Sequence, residues 1–286
     1  MKWERARKSR NVDDRRGHRM AATGGGLGLA GIAIVVVLSL VLGKNPLEML
    51  SLVSGLQPGI DEPTSTTSPV ATDEASQFVA AILGETEDVW RELFEARGAT
   101  YPAPTLVLFT GQVRSACGSA SSAMGPFYCP GDRKVYIDLS FFDEMERRLG
   151  GGGKFAEAYV IAHEVGHHVQ AVTGSSEAVQ QARAAGRSLE GDGGLLVRQE
   201  LQADCYSGVW AHHAEARHQW LEAGDVEQAL ATASAIGDDR LQHQTRGVIV
   251  PDAFTHGTAS QRVQRFRIGL EHGEPERCNT FEAETL

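Results

Sequence analysis

A chain of 286 residues has room for one large domain or two small ones. Its four cysteines, an even number with no C-x-x-C pair, exclude a cysteine-built structural zinc site and a dithiol redox motif. The formal charge of −10 hides an asymmetry: residues 1–20 carry a net +5, so the rest stands near −15. The basic block lies directly before an apolar run, which argues for membrane topology and against a nucleic-acid-binding arm.

That run, residues 21–43, contains no charge. As a helix it would be roughly 34 Å long, against a hydrocarbon core of about 30 Å. A secretory signal peptide is usually shorter and ends in a small-residue cleavage site, whereas Lys44-Asn45-Pro46 follows here. The expectation is a single uncleaved transmembrane helix at 21–43, with the basic segment 1–20 cytoplasmic and everything after Lys44 exported. Residues 44–75, rich in Pro, Ser and Thr from residue 55 onward, read as a linker. Residues 76–286 then form one domain with its own core.

Within that domain, helical periodicity runs from Phe78 to Glu95, with Phe78, Ile82, Val89 and Phe94 on the buried face. Residues 105–110 and 134–139 are strand-like and suggest a small antiparallel sheet. Between them, Cys117 and Cys129 bracket a short loop, and a bridge there is worth about 3 kcal/mol in the chain-entropy model. Cys205 would then pair with Cys278, although two other pairings are formally open. Bridged cysteines fit an exported domain. Phe141 to Arg148 begins another helix, and the glycines at 150–153 break the chain before an apolar helix from Phe155 to Val172 that ends at Gly174.

This last helix carries the chemistry. His163 and His167, four residues apart, lie one turn above each other and can reach one metal ion. Glu164 sits about 100° round the helix. It is badly placed as a third ligand and well placed as a base acting on water. Thirty-three residues beyond His167, Glu200 and Asp204 repeat the i, i+4 spacing. Glu200 completes a His₂Glu ligand set, and Asp204 can accept the remaining ring N–H of a ligand histidine. The competing reading, an acidic solvated helix face, leaves the histidine pair without a third ligand. His168 lacks the direction for the same metal and reads as structural, and His212 and His213 read as surface residues. His256 stands just before a helix capped by Thr258, where it could donate to an oxyanion, with Arg262 as an ion partner for Asp204. A capping loop without a catalytic part is the alternative for His256.

Four segments in order, Cys117 to Pro130, His163 to Gln170, Glu200 to Trp210 and His256 to Arg262, resemble the neutral zinc metallopeptidases of bacteria, the YpfJ-like family. The resemblance covers about residues 76–282, together with the basic N-terminus and its span. It implies an α+β, mainly helical zincin-like domain with a small antiparallel sheet, and one Zn²⁺ per chain bound by His163, His167 and Glu200, with Glu164 as base. The expected protein is a zinc-dependent peptidase of the bacterial cell membrane, single-pass, its catalytic domain extracytoplasmic and its partner a peptide or protein substrate. Two other classes stay open: a zinc-bearing binding or scaffold module without turnover, and an amidase for a non-peptide bond.

Overall fold

The helix expected from Phe78 starts at Glu74 because Asp73 caps it, its carboxylate accepting the Ser76 N–H at 3.1 Å. The computed structural model describes residues 1–17, 73–149, 152–246 and 248–286. The apolar stretch 21–43 and the linker up to residue 72 lie outside the described residues, among which no helix is long and apolar enough to cross a membrane.

In chain order the elements are β1 (Val12–Asp14), α1 (Glu74–Glu95), β2 (Thr105–Phe109), β3 (Gln112–Ser115), β4 (Gly118–Ser121), β5 (Phe127–Cys129) and β6 (Lys134–Asp138). Then follow α2 (Ser140–Leu149), α3 (Lys154–Thr173), α4 (Glu177–Ala184), α5 (Leu195–His218), α6 (Asp225–Ala235), α7 (Asp238–Arg246) and α8 (Ala259–His272). The architecture is α+β and mainly helical, as expected. Antiparallel pairing is present in the β3–β4 hairpin and between β5 and β6. The two strands visible in the sequence, β2 and β6, instead pair in parallel, within a four-stranded sheet of order β1-β2-β6-β5. Their side chains explain this central position, because both faces are covered. Leu106, Leu108, Val135 and Ile137 enter the main helical core, while Val107, Phe109 and Tyr136 pack with Val113, Ala120 and Cys129 on the other side.

Met1–Arg15 belong to the same compact unit as Ser68–Leu286. Val12 is buried and pairs with Leu106 as β1 adds in parallel to β2, and Trp3 is buried edge-on against Phe78. Charge composition alone misses this, because it does not register that Arg7 has specific carboxylate partners, Glu87 and Asp88, on α1.

The motif helix α3 is buried almost all round and lies against α5. Gly166 sits at their close approach: a Cβ there would come within 3.0 Å of the Ala203 carbonyl oxygen. A mid-helix glycine costs about 1 kcal/mol against alanine, and here it lets α3 and α5 approach closely. Disulfides join Cys117 to Cys129 and Cys205 to Cys278, the latter tying the C-terminal segment to α5.

A candidate metal centre between two helices

One turn of α3 and one turn of α5 supply the donors. His163, His167 and Glu200 each offer a ligand atom, and these atoms all lie within 4.8 Å of one another. Both histidines turn Nε2 toward the Glu200 carboxylate, at 3.1 Å for His163 and 3.4 Å for His167.

The far side of each ring is also occupied. His163 Nδ1 lies 2.9 Å from Asp204 Oδ1, and His167 Nδ1 lies 2.9 Å from Gln170 Oε1. An oxygen at Nδ1 places the ring proton there and leaves the Nε2 lone pair for a metal. Gln170 is itself oriented, because its amide donates to the Gln199 carbonyl at 2.8 Å and to Gln202 Oε1 at 3.0 Å. Two imidazole nitrogens and one carboxylate are the donor set of a catalytic zinc site, so the residues present fit that ion.

Asp204 is fully buried, and its charge is met from three sides. Besides His163, Tyr159 Oη donates to Oδ1 at 2.5 Å, and Arg262 donates Nε to Oδ2 and Nη2 to Oδ1, each at 2.9 Å. A buried ion pair with two parallel hydrogen bonds and a further donor holds its geometry firmly. Burial works against the Asp204 charge, yet Arg262 and His163 hold its pKa below the usual carboxylate range. Burial likewise opposes a charged His163, but Asp204 and Glu200 outweigh it and raise its pKa to about 10. His167 moves upward too, with Glu200 prevailing over burial. Glu200 is held well below its ordinary value by the two histidines despite burial. The cage therefore favours positive charge at the point where the donors converge.

This centre opens into a cleft of about 560 Å³. Glu164 lines it and has no side-chain hydrogen-bond partner among the described residues, and burial raises its pKa. Tyr128 and Phe127 of β5 line one part of the cleft, and Val179 and Arg183 of α4 another. His256 also faces the cleft, on a loop fixed by Asp238 at the start of α7. Asp238 Oδ2 accepts the backbone N–H groups of Thr255 and His256, each at 2.6 Å, and of Gly257 at 3.1 Å. Asp238 raises the His256 pKa against the effect of burial. After the loop, Thr258 caps α8 in a reciprocal capping box with Gln261.

The structure thus brings together His163, Glu164, His167, Glu200, Asp204, His256 and Arg262. His168 points away from the centre, between Tyr128 Oη at 3.1 Å and the Pro102 carbonyl at 2.5 Å, where burial lowers its pKa to about 4. Cys205 is bridged and is no thiolate ligand. His212 and His213 are half-buried and not surface residues, bonding the Leu270 and Gly273 carbonyls at the end of α8. Sequence reasoning missed Tyr159, Gln170 and Asp238. Tyr159 sits one turn before His163, and Gln170 one turn after His167 on the metal-facing side, so helical spacing was an available signal for both. Asp238 carries no such signal.

A family profile described as "Putative neutral zinc metallopeptidase" matches residues 1–281. The chain is 46% identical over 286 residues to "Uncharacterized protein YpfJ" of Escherichia coli (strain K12), covering 98% of this chain and 99% of that one. It is 42% identical over 256 residues to "Uncharacterized protein Rv2575" of Mycobacterium tuberculosis (strain ATCC 25618 / H37Rv), covering 86% and 83%. No solved structure matches.

Proposed function

The chain belongs to the neutral zinc metallopeptidase family, and from that premise we propose that it hydrolyses peptide bonds, with His163, His167 and Glu200 holding one zinc ion and Glu164 acting as general base. The observation carrying this reading is the convergence of three donors beside a buried carboxylate that has no other hydrogen-bond partner among the described residues. Zinc held there supplies Lewis acidity, lowering the pKa of water toward about 7 and polarising a carbonyl.

The chain's own groups do the rest. Glu164, its pKa raised by burial, takes a proton from the attacking water and passes it to the leaving amine. Asp204 and Gln170 keep the two ligand rings in the tautomer and orientation that present Nε2. His256, whose pKa Asp238 raises, donates a hydrogen bond to the oxygen on which charge develops. An extended peptide aligns along β5, the strand at the sheet edge whose residues line the cleft. Membrane attachment through the apolar stretch 21–43 is part of the same proposal.

The test is cleavage of an unbiased peptide library by the full chain loaded with zinc, beside Glu164→Gln. Cleavage by the parent alone supports the proposal. Bound zinc without cleavage of any peptide would make the protein a zinc-bearing scaffold, and hydrolysis confined to non-peptide amides would make it an amidase.

A further inference from the structure

Residues 1–15 complete the folded unit that carries the metal centre. From this we infer that the N-terminus and the centre lie on one and the same face of any membrane the chain meets. The chain between them then crosses that membrane an even number of times or not at all.

The N-terminal segment is bound into the unit by backbone, charge and packing together. The Lys2 N–H donates to the Trp220 carbonyl, the Ser9 N–H to that of Ala80 and the Arg15 N–H to that of Leu108, at 2.8–2.9 Å. The Arg7 guanidinium bonds both oxygens of Asp88, the Glu87 carboxylate at 2.7 Å and the Gly84 carbonyl at 2.9 Å. Glu87 is 2% exposed, and its other hydrogen bonds come from Ser9 and Asn11. Among the described residues, every hydrogen-bond partner of this buried carboxylate therefore comes from the N-terminal segment, without which Glu87 would be an uncompensated charge in the core. Gly84 leaves the space for the segment, since a Cβ there would collide with the Arg7 carbonyl.

Topology follows from connectivity. Arg15 and Asp73 both belong to this unit, so the chain between them crosses a bilayer an even number of times or not at all. Residues 21–43 are long enough for one crossing, but the longest uncharged run between Lys44 and Asp73 is only residues 49–60. A helix of that length would be about 18 Å long, short of the roughly 30 Å of a hydrocarbon core, so this run does not supply a second crossing. The basic residues that would orient a single span are in part committed elsewhere: Arg7 to Glu87 and Asp88, Arg15 to Asp13.

The experiment places single cysteines in the full chain at two exposed positions, Arg10→Cys in the N-terminal segment and Glu95→Cys at the end of α1. Intact cells are treated with a membrane-impermeant maleimide before or after lysis, and the unsubstituted chain sets the background. The inference expects the two cysteines to behave alike, both labelled before lysis or both only after it. One labelled in intact cells and the other protected until lysis would overturn it. A charge exchange checks the packing on which the inference depends. Arg7→Asp should lower the thermal midpoint of the solubilised full chain, and adding Asp88→Arg should recover part of the loss. An exchange that recovers nothing would show that the segment does not dock in this way and would remove the premise.

Discussion

The candidate metal centre and the N-terminal docking site both place carboxylates in a helical interior, yet they answer the buried charge differently. At the centre, Asp204 is met by Arg262, Tyr159 and His163, all within three packed helices, so the arrangement is complete when those helices pack. At the docking site, Glu87 waits on α1 for Arg7, Ser9 and Asn11, about eighty residues away along the chain. The first arrangement holds rings in position for chemistry, and the second recruits a distant piece of chain. Substitutions in the two regions should therefore separate turnover from stability.

The largest effect is expected from Glu164→Gln, which removes the proposed base and leaves the three candidate ligands in place. Peptide hydrolysis should fall by about 10²- to 10⁴-fold, read as kcat, with zinc content unchanged. Arg262→Ala strips the principal counter-charge from a fully buried Asp204 and should destabilise by about 3–5 kcal/mol in denaturant unfolding. It should also weaken zinc binding through the loosened His163 ring. Trp3→Ala, in the docking region, removes a buried indole and should cost about 3 kcal/mol or more. Its kcat under conditions where the chain stays folded should match the parent, and a large loss of kcat there would dissolve the contrast between the regions. Arg7→Ala should have the smallest effect, about 1 kcal/mol, because its guanidinium is partly solvated and screened and Ser9 and Asn11 still donate to Glu87.

The same contrast explains what the sequence made legible. His163, His167, Glu200 and Asp204 sit at helical spacing within two short segments, so local periodicity brings each pair onto one face before any tertiary contact is known. The helices themselves were marked by apolar period, by Gly174 and by Thr258. The N-terminal segment offered no such pattern. β1 has three residues of which only Val12 is apolar, and its pairing with Leu106 is parallel and distant in sequence, so nothing local announces it. Net charge pointed to the cytoplasmic flank of a membrane span, because composition counts Arg7 without registering Asp88 and Glu87. Asp238 is hidden for a similar reason: its hydrogen bonds go to backbone N–H groups seventeen to nineteen residues on, which no side-chain motif encodes.

The central claim, that His163, His167 and Glu200 are the ligands and Glu164 is not, is tested most directly by zinc content per folded chain in two variants at neighbouring carboxylates. Glu164→Gln should keep close to one zinc per chain, as in the parent, while Glu200→Ala should lose it. Zinc retained in full by Glu200→Ala, or lost from Glu164→Gln, would contradict the assignment of roles.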